Sequence, residues 1–374
     1  MIEYWLTEPL TPEVKGALER LSSMEDIRHV AVMPDVHLSH QFCIGTVVAS
    51  NSRLYPQAVG GDIGCGMMAI AFDVCAEDLF AQPNRAAVIL KAFGRLIPKN
   101  RHSTQTLPDH LPCELDPKDL SDERLAKSLL RDGRVQLGTL GRGNHFVELQ
   151  RDEQDRLWLM LHSGSRAAGQ RLSEFHRERC RAGRFGYLWF DADSASGQAY
   201  LNDVEWARKY AHLNRWRMLE SVAITLEELF QVPCDASTLI SCDHNHVEQE
   251  THFEERLWVH RKGALRADPG ETGVIPGSMG TASFHVTGRG CTRALRSSSH
   301  GAGRRMSRSE ARRVVGTRQL QQQMGEVIFD HRLSSRLCDE APASYKDITR
   351  VMRAQRELTR IDRRLQPVLS YKGV

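Results

Sequence analysis

The sequence predicts a mixed α/β fold in which short strands alternate with helices in one large domain, residues 1–374. Three observations support this prediction. The 374 residues are 41% hydrophobic and 26% charged, which is ordinary for a globular protein. Short apolar runs that end in polar residues recur along the whole chain. No internal repeat, low-complexity tract or linker-like stretch divides it, so a single domain is expected.

In the first half of the chain, short apolar and β-branched runs predict strands over 29–37, 44–49, 67–74 and 157–162. Polar, loop-like sequence is expected over 98–119. Ser121, followed by two acidic residues and later by Gly133, frames one short helix.

In the second half, apolar residues at helical spacing predict a long helix over 201–230, which Pro233 ends. Strands are predicted over 239–243 and 284–287. Ser307 and Glu310 form a capping box at the start of a basic helix. A last helix is predicted over 345–365, with its arginines on one face, and a strand over 367–371.

Composition excludes several classes of protein. No run approaches the roughly 18 apolar residues of a membrane helix. The first residues lack the pattern of a secretory signal. Nine cysteines without CxxC spacing indicate reduced thiols and a cytoplasmic protein. The formal net charge of +3 is too small to imply nucleic-acid binding unless basic residues cluster locally.

The stretch 59–68 is the centre of the chemical argument, because four glycines there surround Asp62 and Cys65. Glycine lets the backbone approach a ligand closely, so both side chains can point into one small volume. A carboxylate beside a thiolate is half of a metal site. The alternative is a tight turn that carries a buried cysteine.

Four of the sixteen histidines lie at predicted strand ends beside glycine, serine or asparagine: His145, His162, His244 and His300. Together with Asp62 and Cys65, they can bind one or two metal ions at strand ends that converge on one cleft. Ligand preference alone favours zinc, which suits thiolate and imidazole. By contrast, His176 and His212 lie in charged helical sequence and are predicted to be solvated.

Basic residues near the same loops suggest that the protein handles phosphate: Arg142, Arg166, Lys262 and Arg304. Neither GxxxxGK[ST] nor GxGxxG occurs, so no standard nucleotide-binding loop is present. The arginines over 350–364 favour a solvated helix face, with an RNA-contacting surface as the alternative. From residues alone, the prediction is a cytosolic metalloenzyme that acts on a phosphate-containing substrate.

These motifs, in this order, resemble the RtcB family of RNA-splicing ligases. The resemblance runs from about Val30 to the end of the chain. It is carried by 33–37, 59–67, 137–148, 162–166, 244–245, 261–264, 275–280, 299–304, 345–347 and 372–373.

The resemblance implies a ligase that depends on GTP and Mn²⁺, with two ions expected. Such an enzyme joins an RNA 3′-phosphate or 2′,3′-cyclic phosphate to a 5′-hydroxyl, in RNA repair or tRNA splicing. Manganese with a thiolate departs from the softness rule that favours zinc, but affinity order alone does not decide which metal a protein holds in a cell.

The resemblance also implies roles for individual residues. His300 is expected to be the nucleophile that takes GMP as a phosphoramidate. The metal ligands are expected to be Asp62, Cys65, His145, His162 and His244. The guanylate pocket is expected to contain Asn144, Glu148, Gly301, Ala302, Gly303, Tyr345 and Lys372. The residues expected to contact RNA phosphates are Arg166, Lys262 and Arg304.

The chain departs from the family pattern at Ser39 and Gln41, where glycines are usual, and at Gly61, where a bulkier residue is common. These changes put RNA-end recognition in question. The short region over 98–135 resembles the branch associated with release-factor-H homologues, so such a protein or the ribosome is an expected partner, with broken tRNA or rRNA as substrate. The alternatives are a metal-dependent phosphodiesterase or phosphatase without guanylylation, and an RNA-end-binding protein without ligase activity.

Overall fold

The computed structural model describes residues 1–39, 41–79, 82, 84–104 and 110–374. Helices and strands alternate along the chain, which confirms the mixed α/β prediction. Residues 105–109 of the loop predicted over 98–119 lie outside the described residues.

The strands, in chain order, are β1 Ile2–Tyr4, β2 Ile27–His37, β3 Ile44–Ser50, β4 Arg53–Leu54, β5 Gly66–Cys75, β6 Phe146–Arg151, β7 Arg156–Ser163, β8 Arg181–Ala182, β9 Leu188–Asp191, β10 Cys234–Asp243, β11 Asn245–His252, β12 Glu255–Lys262, β13 Ala264–Arg266, β14 Thr272–Ile275, β15 Ser283–Gly288, β16 Ser297–Ser299 and β17 Thr359–Lys372. The α-helices are α1 Pro12–Ser22, α2 Arg85–Leu96, α3 Glu123–Gln136, α4 Arg166–Arg177, α5 Ala195–Phe230, α6 Arg308–Val314, α7 Thr317–Met324, α8 Ser334–Leu337 and α9 Ile348–Ala354.

A seven-stranded antiparallel sheet in the order β10-β5-β7-β6-β17-β15-β14 forms the centre of the fold. The long helix α5 packs on one face of it, where Met218 and Val222 join Met68 and Leu159 in a core cluster. Trp158 and its neighbours fill the opposite face. Both faces are therefore dry, which explains the continuous apolar run at the start of β5.

A five-stranded sheet in the order β1-β2-β3-β12-β11 lies beside the first, and β1 and β2 are its parallel pair. In this sheet, β2 comprises residues 27–37 and β12 ends at Lys262. Two smaller sheets, β13-β16 and β4-β9-β8, complete the strand pairing. The β13-β16 ladder matters for function because His300 follows β16 directly.

Several predicted elements are confirmed. The predicted long helix appears as α5, which begins six residues earlier than expected because Ser194 caps it by accepting a hydrogen bond from the Gly197 N–H. The side chain of Ser307 caps α6 and accepts from the Glu310 N–H, as the capping box requires. The helix predicted between Ser121 and Gly133 appears as α3, but Asp122 caps it and it continues past Gly133 to Gln136.

The helix predicted over 345–365 is wrong. Only α9 is helical, and β17 begins at Thr359. Ile361, an apolar residue whose spacing contributed to the helix prediction, is 48% exposed. Long-range pairing with β15 and β6 outweighs the local helical spacing of apolar residues. The predicted strand over 367–371 forms the end of β17, with a register shift after Pro367, which lacks an N–H to donate.

No α-helix within the described residues is both long and apolar enough to cross a membrane. All nine cysteines are free thiols, as their spacing predicts.

Candidate metal centre and nucleotide cavity

The register of the seven-stranded sheet brings the predicted metal ligands to one end. Met67 of β5 and Phe146 of β6 both pair with His162, from either side of β7. Cys65 and His145 directly precede β5 and β6, so they lie beside His162. His244, between β10 and β11, reaches the same place because β10 pairs with β5.

The donor atoms of these residues form one continuous cluster. The Sγ atom of Cys65 lies 3.5 Å from Nε2 of His145 and 3.2 Å from Nε2 of His162, and these three ligand atoms lie within 4.8 Å of one another. Nε2 of His162 is 3.4 Å from Nε2 of His244. Nε2 of His145 is 3.1 Å from Oδ2 of Asp62. All five residues predicted as ligands therefore share one cleft.

Backbone carbonyls fix how two of the imidazoles face this cluster. Nδ1 of His145 donates to the Leu140 carbonyl at 3.0 Å, and Nδ1 of His162 to the Asn144 carbonyl at 3.4 Å. A carbonyl only accepts, so each of these rings, when neutral, carries its proton on Nδ1 and presents the Nε2 lone pair to a cation. Burial, with the neighbouring histidines, lowers the pKa of His162 and of His244 well below its usual range. Both rings are therefore neutral, as metal ligands must be.

The cleft shifts the pKa of the Asp62 carboxylate and that of the Cys65 thiol in opposite directions. Burial would raise the pKa of Asp62, but the hydrogen bond and charge of His145 outweigh it and hold the pKa at about 2. Burial, followed by the charge of Asp62, raises the pKa of the Cys65 thiol well above its usual value. A bound cation reverses that effect and ionises the thiol. The residues present therefore fit a metal ion.

His300 lies at the edge of the same cleft, with its ring centroid 4.7 Å from that of His244. It follows β16, where Ser299 pairs with Ala264 of β13. Nδ1 of His300 is 2.7 Å from Oδ2 of Asp35, a fully buried carboxylate of β2. The side chain of His300 is 15% exposed, so its other nitrogen remains accessible.

Two contacts hold the backbone that presents Asp35. The ammonium of Lys346 donates to the carbonyl oxygens of Pro34 and Val36, on either side of Asp35, at 3.1 and 2.7 Å. Gly303 packs against the same strand with φ +73°, and a Cβ there would lie 2.3 Å from the Asp35 carbonyl oxygen. Only glycine fits that position.

A cavity of about 250 Å³ opens beside His300, close to the lower end of the size range of small-molecule sites. It is lined by all seven residues predicted for the guanylate pocket, namely Asn144, Glu148, Gly301, Ala302, Gly303, Tyr345 and Lys372. Arg304 and Arg308 also line it. Arg304, expected to contact RNA phosphate, thus lines this cavity.

A buried carboxylate, Glu340, organises the basic wall of this cavity. It forms ion pairs with Lys372, Arg304 and Arg308, and it accepts a hydrogen bond from the hydroxyl of Tyr345 at 2.7 Å. Burial would raise its pKa, but Lys372 and Arg308 outweigh this and hold the pKa at about 2. Glu340 therefore fixes the positions of the cationic side chains around the cavity.

Glu148 is the acidic group on the cavity wall. It is buried, and Gln150 donates to its Oε1 at 2.7 Å. Burial raises its pKa to about 8, although Gln150 and the charge of Lys372 act in the opposite direction. Its β6 backbone pairs with β17, which places Lys372 beside it.

A wider groove of about 860 Å³ lies on the other side of the cluster, and Asn144 lines both spaces. Asp62 and His145 reach its wall, and four cations line it: Arg142, Arg166, Arg177 and Lys262. Burial lowers the pKa of Lys262 to about 8. The predicted RNA-phosphate residues Arg166 and Lys262 thus face a cationic groove that adjoins the metal cluster.

The departures from the family pattern also fall on this groove. Ser39, Gln41 and Gly61 all line it, and Lys262 donates to the Ser39 hydroxyl at 3.3 Å. The cavity beside His300 is free of them. Among the histidines, the prediction of a solvated His176 is wrong, because it is buried and pairs with Asp203 at 2.7 Å. His212 is exposed, as predicted.

Sequence reasoning assigned no role to Asp35, Lys346 or Glu340. Asp35 lies in an Asp-x-His pair at a strand end, which was a usable signal for a group that orients another side chain. Lys346 acts on Pro34, 312 positions away in the chain, and Glu340 acts on Arg304, 36 positions away, so the spacing of residues in the sequence does not reveal either contact.

Comparison with known proteins agrees with these features. Residues 17–373 match the family described as tRNA-splicing ligase RtcB. The RNA-splicing ligase RtcB of Escherichia coli strain K12 is 35% identical over 98% of this chain and 95% of its own length. The RNA-splicing ligase RtcB of Mycobacterium tuberculosis is 29% identical over 93% of this chain and 97% of its own length.

A more distant relative, the tRNA-splicing ligase RtcB of Nanoarchaeum equitans, is 26% identical over 93% of this chain. The similarity thus spans nearly the whole sequence, in relatives from bacteria and beyond. This chain belongs to the RtcB family of RNA-splicing ligases.

Proposed function

We propose that the protein is a GTP- and Mn²⁺-dependent ligase that joins RNA 3′-phosphate or 2′,3′-cyclic phosphate ends to 5′-hydroxyl ends through a His300–GMP intermediate. One observation carries the proposal. His300 lies between a cluster of five metal-ligand side chains and a cavity lined by all seven residues expected to bind guanylate. A nucleophile, a cation site and a nucleotide pocket are thus adjacent.

The metal ligands in this proposal are Asp62, Cys65, His145, His162 and His244. Together these five residues would hold the two expected ions, and Mn²⁺ is proposed over Zn²⁺ on family membership. The bound ions would neutralise phosphate charge during in-line displacement. The chain's own contribution is to aim three Nε2 atoms, one thiol and one carboxylate at the same small volume.

Asp35 prepares His300 for nucleophilic attack. The carboxylate accepts the Nδ1–H of the imidazole, which leaves the Nε2 lone pair free. In the first step, Nε2 attacks the α-phosphorus of GTP. A phosphorus–nitrogen bond forms, and the bond to the pyrophosphate oxygen breaks. Asp35 stabilises the positive charge that develops on the ring, much as the carboxylate of a catalytic triad does.

The next step frees His300, and the one after it joins the two RNA ends. An oxygen of the RNA 3′-phosphate attacks the GMP phosphorus and the phosphorus–nitrogen bond breaks. The 5′-hydroxyl of the second RNA end then attacks the activated 3′-phosphorus, loses its proton and releases GMP. A cyclic phosphate must first be opened by water to the 3′-phosphate.

Recognition of the nucleotide is assigned to the cavity. Glu148 can accept hydrogen bonds from the ring N–H and the amino group of guanine once it is ionised. Lys372 and Tyr345, held by Glu340, supply a cation and a ring. Asn144 and the backbone of Gly301, Ala302 and Gly303 lie close enough to contact the ribose and phosphate.

The RNA ends are assigned to the cationic groove, where Arg166 and Lys262 face the metal cluster. Arg304 lies on the nucleotide cavity, so we assign it to nucleotide phosphates rather than to RNA. A phosphodiesterase or a simple RNA-end binder would need neither a nucleotide cavity beside His300 nor a carboxylate on its ring.

The proposed setting is the cytoplasm, in RNA repair or tRNA splicing, with broken tRNA or rRNA as substrate. A release-factor-H-like protein or the ribosome is the proposed partner. Nine free cysteines are consistent with a reducing compartment.

Labelling with GTP tests the proposal. The protein is incubated with α-labelled GTP and Mn²⁺ and then run on a denaturing gel. A labelled protein band that is stable in alkali and lost in acid is expected of a phosphoramidate. If no labelled band forms but RNA 3′-phosphate is still removed or hydrolysed, the result would contradict the ligase and favour the phosphodiesterase.

A further inference from the structure

An arginine-rich segment lies outside the site described so far. Residues 177–184 contain four arginines and one glutamate, a net charge of +3, which equals the formal net charge of the whole chain. All four arginines are exposed: Arg177, Arg179, Arg181 and Arg184. The end of α4 and the start of the hairpin β8–β9 that follows therefore form one locally basic segment.

This segment begins on the groove and forms part of its rim. Arg177 lines the groove together with Lys262. Gln57, another lining residue, holds the hairpin turn on both sides: its Nε2 donates to the Gly186 carbonyl at 3.2 Å, and its Oε1 accepts from the Leu188 N–H at 2.8 Å. The hairpin therefore continues the cationic wall outward from the metal cluster.

Aromatic rings alternate with the arginines here. Phe185, at the tip of the hairpin, is 44% exposed and has φ +59°, an unfavourable conformation for an aromatic residue. The guanidinium of Arg184 lies 4.6 Å from that ring centroid. The guanidinium groups of Arg53 and Arg181 lie 4.0 and 5.2 Å from the ring centroid of Trp189.

Acidic groups neutralise little of this charge. Arg181 pairs with Asp191 at 2.8 Å and Arg179 with Glu178 at 3.9 Å, and both pairs are solvent-exposed, where ion pairs are weak. Arg177 forms no ion pair within the described residues, and neither does Arg184. Cations and an open ring are thus available to a partner.

We propose that this ridge, formed by Arg177, Arg179, Arg181, Arg184, Phe185 and Trp189, binds the single-stranded RNA that leads away from the end held in the groove. The inference rests on the proposed function, which places the RNA end in that groove. Guanidinium groups bind phosphates, and an exposed ring stacks an unpaired base of any sequence. Arginine and aromatic residues are also common at protein interfaces, but the net charge of +3 within eight residues and the continuity of the ridge with the cationic groove favour RNA.

The test compares RNA lengths. RNAs of about six and about twenty nucleotides share the same 3′-phosphorylated end, and binding to the full chain is measured by fluorescence anisotropy without GTP. Arg179→Gln/Arg184→Gln should weaken binding of the long RNA about ten-fold and of the short RNA less than about two-fold. The slope of log Kd against log salt concentration for the long RNA should fall by about 1.4, or about 0.7 for each lost phosphate contact.

The matched control is Arg353→Gln/Arg356→Gln, which removes two exposed arginines that line neither the groove nor the cavity. It should leave binding of both RNAs unchanged. Phe185→Ala should weaken binding of the long single strand while leaving a duplex of the same length unaffected, because stacking needs an unpaired base.

Equal losses for short and long RNA, an equal loss in the control, or no loss at all would overturn the ridge proposal. Labelling of Arg179→Gln/Arg184→Gln with GTP in the absence of RNA separates this result from the proposed function. The variant should form the GMP adduct at the parental rate. If the parent protein forms no adduct, the proposed ligase chemistry is contradicted. The ridge proposal is tested separately, by how binding depends on RNA length.

Discussion

Among single residues, the arrangement around His300 carries most of the proposed chemistry. One ring nitrogen faces Asp35, and the ring itself lies against His244 of the metal cluster. Asp35 is fully buried, and Lys346 fixes the carbonyls on either side of it. The carboxylate therefore holds the imidazole in one tautomer and one orientation.

Asp35→Asn should slow formation of the GMP adduct by about 10²-fold or more, because an amide supports the reactive tautomer poorly and does not stabilise an imidazolium. Adduct formation is measured in single-turnover experiments at saturating GTP. Ligation of RNA that already carries a 3′-terminal diphosphate-linked guanosine is the control, and its rate should change little. Normal adduct formation in Asp35→Asn would contradict the orienting role.

Glu148 gives a prediction about pH. A glutamate ordinarily ionises near pH 4.5, but burial holds the folded-state pKa of Glu148 at about 8. Between these values the folded protein binds one proton more than the unfolded chain, so the free energy of unfolding falls as pH rises. Glu148→Gln has no carboxyl to titrate at this position. The Tm of the variant relative to that of the parent should therefore increase as the pH rises from about 5 to about 8.

Thermal unfolding followed by circular dichroism across that range checks this, with Glu13→Gln on the exposed face of α1 as control. A Tm difference between Glu148→Gln and the parent that stays constant with pH would contradict it. In the same variant, GTP affinity should fall because the carboxylate acceptor is lost.

The residues that sequence reasoning found and those it missed differ in kind. Cysteine and histidine next to glycine at strand ends are a local pattern, and that pattern predicted His145, His162 and His244 together. Lys346 and Glu340 act on residues far away in the chain, so only the folded structure reveals them. His176 was misjudged because its partner Asp203 lies 27 positions away on another helix.

Among the elements, β17 shows most clearly how tertiary pairing determines structure. Apolar spacing predicted a helix over 345–365, but most of that stretch continues into a strand held between β15 and β6. This pairing places Lys372 opposite Phe146, next to His145, one of the proposed metal ligands. The last strand thus connects the cavity beside His300 to the central sheet.

Deletion of residues 372–374 should weaken GTP binding at least about ten-fold, since it removes a buried cation that pairs with Glu340. It also removes two backbone hydrogen bonds, from Gly373 to the His145 carbonyl and from Gly143 to the Gly373 carbonyl. Binding is measured by titration calorimetry. Lys372→Ala is the matched variant that keeps the backbone contacts and should show most of the loss. Unchanged GTP affinity in both proteins would contradict the assignment of Lys372 to the cavity.

At the scale of the whole molecule, two sheets and two spaces meet at one cluster. The seven-stranded sheet presents the proposed metal-ligand residues, and the five-stranded sheet presents Asp35 and Lys262. The cavity and the groove open on either side and share Asn144. The fold class and the shared cleft were predictable from sequence, because strand-end motifs recur in order. The sequence did not predict that Arg304 lines the cavity while Arg166 and Lys262 line the groove, since this depends on how the loops pack.

The most direct test of the account is the His300→Ala variant. It should bind metal and GTP as the parent does, because no predicted metal ligand is changed, yet form no GMP adduct and join no RNA from GTP. It should still join RNA that already carries a 3′-terminal diphosphate-linked guanosine, because that species lies beyond the step in which His300 acts. GTP-dependent ligation at the parental rate, or label found on a lysine, would contradict the central claim.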